Sequence, residues 1–288
     1  MTKILRMITI VSFAFMAISI AAAQTYTTVD YPGATATTLN GGPNPQGTAV
    51  GTYTDTAGVT HGFTETNGSA FTSFDPPGST ATTPNFITPQ GTIVGGYLDA
   101  SGSSHGFVFS GGHYTNVDYP GAAGTVLTSQ NPEGEITGFS CADAACANGP
   151  FTSFTRSATG TFNAFNPPGS SNSQASAVNP AGVVVGAYED SAGVLHGYIL
   201  YRNNFVTNDY PGASFTFDGG NNAGGVIVGE YRGADGVPHS FVLNQGVYTG
   251  FDPPGATASD ATGVNPGGVI VGLYADSAGA VHGFIRTP

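Results

Sequence analysis

Ala256–Pro288 reads ATASDATGVNPGGVIVGLYADSAGAVHGFIRTP, and its turns divide it into strands. A short small-residue strand ends at Val264. Asn265-Pro266-Gly267-Gly268 is a tight turn, because Asn, Pro and Gly each favour turn backbone. Val269 to Tyr274 is an apolar, β-branched run without clean alternation, so both of its faces are expected to be buried. Asp276 to Gly279 makes a second turn, and Val281 to Arg286 a third strand. In the preceding copy of this pattern a Gly-containing turn follows, then an aromatic strand, Val247 to Asp252. The Pro-Pro-Gly or Tyr-Pro-Gly after such a strand ends pairing, since proline cannot donate to a ladder. No segment has helical spacing with caps.

The pattern recurs along the chain. His-Gly-Phe, or a close variant, stands at His61, His105, His196, His239 and His282, with gaps of 44, 91, 43 and 43 residues. The gap of 91 spans two repeats and a small insertion, and places the skipped copy at Asn148-Gly149. Asp-(Tyr/Pro)-Pro-Gly recurs at Asp30, Asp75, Asp118, Asp209 and Asp252, with Asn166 in the same slot. An aromatic residue lies four positions before each: Tyr26, Phe71, Tyr114, Phe162, Phe205 and Tyr248. A glycine closes each apolar run, at Gly51, Gly95, Gly138, Gly186, Gly229 and Gly272, and is expected to let adjacent sheets approach closely.

Four short antiparallel strands per ~43 residues is the period of propeller blades. The sequence therefore predicts an all-β, six-bladed β-propeller with four antiparallel strands per blade, in one domain over 24–288. The phase fits closure. The segment Tyr26–Asp30 is the fourth strand of a copy, and the chain ends after a third strand at Arg286, so the N-terminal strand is expected to complete the last blade. Closure of this kind removes the free edge of an open stack.

Asn-x-x-Gly-x-(Ile/Val)-Val-Gly, followed by His-Gly-Phe and an aromatic strand, resembles the HAF family of extracellular repeats, named for its His-Ala-Phe tripeptide. The middle residue here is Gly; copy 5 has His239-Ser240-Phe241 and copy 4 has His196-Gly197-Tyr198. The resemblance covers Tyr26 to Pro288. It implies an exported repeat protein and carries no catalytic residues.

The first 23 residues read as a signal peptide. Lys3 and Arg6 form a basic start, Met7 to Ile20 an apolar run, and Ala21-Ala22-Ala23 a cleavage site. No later segment is apolar enough over the ~20 residues a membrane span needs. Secreted, periplasmic or cell-surface residence is expected. Cleavage leaves four arginines against eighteen acids and no lysine, a net charge of −14. That charge disfavours nucleic acid and anionic lipid, which recruit clustered Lys or Arg. Cys141 and Cys146 are the only cysteines, and in an oxidising compartment they are expected to pair.

The repeated histidines and aspartates are expected to meet across strands three and four as His61–Asp75, His105–Asp118, His196–Asp209, His239–Asp252 and, through closure, His282–Asp30. In the odd copy both slots change together, to Asn148 and Asn166. One pair per blade reads as structural, because a catalytic site draws on a few asymmetric residues. Gly102-Ser103-Ser104-His105-Gly106 matches a nucleophile elbow in letters only, since that motif joins a strand to a helix. Asp55, Asp99, Asp190 and Asp276 each precede a Gly by three and suit turns. Calcium would need six to eight converging oxygens, which the spacing does not supply, so no metal or cofactor is expected.

Residues that depart from the repeat are the candidate ligand contacts: Asp143, Asp218, Glu230, Arg232 and Asp235. The leading expectation is a monomeric, non-catalytic binding or scaffold protein for a glycan, a surface polymer or a protein. A secreted polysaccharide hydrolase or lyase using Asp143, Asp218, Glu230 or Asp235 is the first alternative, and a structural or adhesive envelope protein the second.

Overall fold

The computed structural model describes residues 24–288, so the signal peptide expected over 1–23 lies outside the described residues. All regular structure among the described residues is β-strand. After β1 (Thr25–Val29) come β2 (Ala36–Gly41), β3 (Thr48–Thr54), β4 (Thr60–Thr66) and β5 (Ala70–Phe74). The second copy runs β6 (Ala81–Ile87), β7 (Ile93–Leu98), β8 (Ser104–Ser110), β9 (His113–Asn116). The third runs β10 (Gly124–Gln130), β11 (Ile136–Cys141), β12 (Phe151–Arg156), β13 (Phe162–Phe165). The fourth runs β14 (Asn172–Val178), β15 (Val184–Glu189), β16 (Leu195–Tyr201), β17 (Asn204–Thr207). The fifth runs β18 (Phe215–Asn221), β19 (Ile227–Arg232), β20 (Pro238–Asn244), β21 (Val247–Phe251). The last three strands are β22 (Ala258–Val264), β23 (Ile270–Ala275) and β24 (Val281–Thr287).

Copies two to five are separate four-stranded sheets whose neighbours in sequence are neighbours in space. β22-β23-β24 joins β2-β3-β4-β5 through one parallel bridge, Ala36–Val281, and β1 lies on β24 from Thr25–Thr287 to Val29–Gly283. The second strand of each copy carries the core. Consecutive residues point to opposite faces, and both members of Ile93-Val94, Val184-Val185, Ile227-Val228 and Ile270-Val271 are buried. The aromatic of strand three is buried as well: Phe63, Phe107, Phe154, Tyr198, Phe241 and Phe284 are each at most 1% exposed. Burying one such ring stabilises the fold by about 1.5–3 kcal/mol.

Each of these rings sits opposite the repeated glycine, from Gly51–Phe63 to Gly272–Phe284. A β-carbon on Gly51 would strike the Thr38 carbonyl oxygen and the Phe63 ring, both in its own sheet, and Gly229 would likewise strike Phe217 O and Phe241. The close approach is therefore within a sheet, not between adjacent sheets as the sequence suggested. The cause is a β-bulge in every first strand, at Asn40, Asn85, Thr128, Ser176, Gly219 and Thr262. A bulge leaves its extra residue unpaired, and four of these side chains bond to the next copy instead. Asn40 Nδ2 donates to Pro84 O at 2.9 Å, and Asn85 Nδ2 to Leu127 O at 2.8 Å. Thr128 Oγ1 donates to Ala175 O and Thr262 Oγ1 to Leu39 O, both at 2.8 Å. A second set runs through the Asn-Pro turns: Asn131 to Asn179 O, Asn179 to Asn222 O, Asn222 to Asn265 O and Asn265 to Pro43 O.

Candidate functional site

In five of the copies, at the end of the sheet where strand two turns into strand three, the repeated residues assemble a cluster. His Nδ1 faces an aspartate oxygen at 2.8–3.0 Å in His61–Asp75, His105–Asp118, His196–Asp209, His239–Asp252 and His282–Asp30. The other nitrogen, Nε2, faces a second carboxylate at 3.2–3.5 Å: Asp55, Asp99, Asp190, Asp235 and Asp276 respectively. That second aspartate caps its own turn with its other oxygen, as when Asp55 Oδ1 accepts from Ala57 N at 2.8 Å and Val59 N at 2.9 Å. A tyrosine packs on each imidazole, Tyr53, Tyr97, Tyr188, Tyr231 and Tyr274, with ring centroids 5.0–5.5 Å apart. The sequence reading treated the turn aspartates separately from the histidines. The recurring Tyr-x-Asp six residues before His, as in Tyr53-x-Asp55 and His61, was the signal that joins them.

An imidazole between two carboxylates can donate from both nitrogens only when protonated. In His61, His105 and His282 the hydrogen bond to Asp75, Asp118 and Asp30 is the main cause of a pKa above the ordinary 6.5. In His196 and His239 burial is the largest influence and lowers the pKa, but the two carboxylates together outweigh it. Backbone donors from Val59, Val194 and Ala280 hold Asp55, Asp190 and Asp276 low, and the Ser101 hydroxyl leads in taking Asp99 down to about 2. The third copy lacks the cluster, and its histidine position is not Asn148. The register pairs Ser140 with Thr152 as it pairs Tyr188 with His196, so Thr152 holds that position. Asn148 lies in the inserted segment between β11 and β12, two residues beyond the Cys141–Cys146 disulfide, and that insertion displaced the count. In the elbow-like stretch, Ser104 is buried and its hydroxyl donates to Thr125 O at 3.1 Å.

The first strands surround a cavity of about 770 Å³. Asn85, Thr128, Gln130, Gln174, Ser176 and Asn221 line it with amides and hydroxyls, and Asp260 is its one carboxylate. No lysine, arginine or histidine is among the described lining residues. The cavity extends between β7 and β10, where Tyr97, Val126, Phe139 and the disulfide-loop residues Ala145 and Cys146 wall it. Gln130 Oε1, Ser176 Oγ, Asn221 Oδ1 and Asp260 Oδ1 are buried and have no hydrogen-bond partner in the protein.

The five departures from the repeat lie elsewhere; none is among the residues lining this cavity. Asp143 caps the disulfide loop, accepting from Ala147 N at 3.1 Å and Asn148 N at 2.9 Å. Glu230 Oε1 accepts from Arg232 Nε at 2.8 Å, and Arg232 lies over Phe215. Asp235 belongs to the His239 cluster. Asp218 is fully buried, with Asn208 Nδ2 on both of its oxygens at 2.9 and 2.8 Å, and burial raises its pKa. These acids occupy separate environments with separate partners, so the hydrolase alternative loses the carboxylates it was built on. Among the described residues no group of three or more His, Cys, Asp or Glu is arranged to hold a metal ion.

No family model and no curated protein sequence matches the chain. Solved structures do. Virginiamycin B lyase from Staphylococcus aureus, in a catalytically inactive form with quinupristin, is 10% identical with a TM-score of 0.52, over 91% of this chain and 99% of that one. The fungal lectin of Aleuria aurantia, a six-bladed β-propeller with a fucose recognition mode, is 12% identical with a TM-score of 0.54, over 86% and 90%. The fold is a β-propeller. TolB from Acinetobacter baumannii shares it at 13% identity and a TM-score of 0.55, over 79% of this propeller and 60% of that chain. At such identities the likeness concerns the fold alone, and the propeller's chemistry has to be read from its own residues. No helix among the described residues is long and apolar enough to cross a membrane.

Proposed function

We propose that the chain closes into one six-bladed ring and works as an exported, HAF-type binding propeller whose central cavity holds a glycan. Closure is supported by the antiparallel pairing of β1 with β24 and by hydrogen bonds that cross every junction between successive copies, including Asn265 to Pro43 O. The Cys141–Cys146 disulfide supports an oxidising compartment. The observation that carries the ligand class is the cavity lining. Amide and hydroxyl groups converge there from several blades, aromatic rings stand beside them, and Lys, Arg and His are missing from the lining. Such a surface suits a polyhydroxy ligand without anionic groups, which exchanges many hydrogen bonds and stacks its apolar ring faces on aromatics. The lectin of the same fold, with its fucose recognition mode, gives the glycan reading a precedent.

A glycan array followed by pull-down on the mature protein tests this. Retention of a glycan that Gln130→Leu and Asn221→Leu abolish, with unchanged melting behaviour, is the expected result. Failure to retain any glycan, or retention untouched by both substitutions, refutes the assignment.

A further inference from the structure

We propose that Asp260 makes one wall of the central cavity a subsite for a protonated primary amine, so that the natural ligand carries an ammonium group. This rests on the cavity being the ligand site. Asp260 departs from the repeat: the equivalent residues, each opposite the position after the repeated glycine, are Thr38, Thr83, Val126, Gln174 and Phe217. It is not part of the scaffold that the copies share. Its Oδ1 is buried and accepts no hydrogen bond from the protein. Burial, and then the charge of Glu230 on the neighbouring β19, raise its carboxyl to about 7, with Arg232 opposing.

Arg232 cannot serve Asp260 fully, because its Nε is committed to Glu230 and its guanidinium lies 4.5 Å from the Phe215 ring centre. The other elements packed on β22 leave the site without a cation. β2 carries no titratable group. On β18, Asp218 is tied to Asn208; on β20, His239 sits between Asp252 and Asp235; on β23, Tyr274 bonds Thr28. A buried carboxyl with an unused oxygen and a second carboxylate nearby is short of positive charge. An ammonium group brings that charge and three donors, whereas a sugar hydroxyl brings only a donor. A divalent cation would ask for six or more oxygens. Phe217, lining the cavity at the equivalent position of the preceding copy, adds an aromatic surface of the kind that attracts ammonium groups.

The test titrates the full mature chain with cadaverine and with pentanediol, following the side-chain amides of Gln174 and Asn221 by NMR. Cadaverine is expected to bind at least about tenfold more tightly than the diol. Its affinity should rise about tenfold from about pH 6 to about pH 8, because it requires the ionised carboxylate and stays protonated itself. Asp260→Asn should erase both the preference and the pH dependence, and Glu230→Gln should weaken both. Equal binding of diamine and diol, or cadaverine binding unchanged in Asp260→Asn, overturns the subsite. If neutral glycans still perturb the same amides in that event, the cavity stands as the ligand site; if they do not, both readings fall.

Discussion

Asp218 stands where the other copies carry Leu39, Pro84, Leu127, Ala175 and Ala261, and its partner Asn208 stands where they carry Val29, Phe74, Val117, Phe165 and Phe251. Two apolar residues have been exchanged for a hydrogen-bonded pair, extended by Tyr248 OH on Asn208 Oδ1 at 2.7 Å. Removing one partner strands the other in the core, so Asn208→Val should cost about 2–3 kcal/mol by urea unfolding. Asn208→Val with Asp218→Leu should recover most of that loss, since the core pair is then apolar and only the half-buried Tyr248 hydroxyl is left without its partner. The titrating residues set a pH dependence. The five histidines, raised above 6.5, stabilise the fold fully below that value and cease to as pH climbs through their folded pKa values. Asp260 and Asp218, raised by burial, act in the same direction, while the lowered turn aspartates matter only as pH falls below 3.8. The calorimetric midpoint should therefore fall from about pH 5 to about pH 8; a midpoint that climbs over that interval contradicts the clusters.

Strand two and strand three act as one element through the glycine–aromatic pairs. The bulge in strand one pushes a carbonyl into the space that a β-carbon on the glycine would need, and the ring from strand three covers what remains. Gly229→Ala meets backbone on one side and the Phe241 ring on the other. It should destabilise at the upper end of overpacking, by about 3 kcal/mol, as a lower urea midpoint at unchanged slope. The inserted loop of the third copy is held differently. Cys141 and Cys146 close a short loop, and Ala144 O accepts from Ser104 N of the second copy at 2.6 Å. Loop entropy for so short a closure amounts to about 2 kcal/mol, so reduction should lower unfolding free energy by that amount. No change on reduction would mean that the loop is held by its hydrogen bonds alone.

For the whole molecule, the proposed closure rests on the pairing of the first described strand with the last. β1 covers the edge of β24 and seats Val29, 2% exposed, in a cluster with Leu39 and Phe63. Deleting 24–31 should uncover that edge and offer it to other chains. The expected outcome is a lower midpoint together with self-association in solution scattering; a monomer of unchanged midpoint would show that the β1–β24 pairing adds nothing to stability.

The sequence by itself determined what is local and repeated. Turn residues and periods placed β22 to Val264, β24 from Val281 and β21 from Val247, because Asn-Pro-Gly turns and β-branched runs impose their geometry on neighbouring residues alone. The cysteine pairing was legible on other grounds, because the chain has only two thiols and is expected to reach an oxidising compartment. Tertiary structure alone decided which polar residues share a space. Asp218 and Asp260 both sit in first strands ahead of the bulge, but at adjacent positions of the repeat, and alternate side chains of a strand face opposite ways. One faces Asn208 inside the core and the other lines the cavity, a difference that arises only when neighbouring sheets pack.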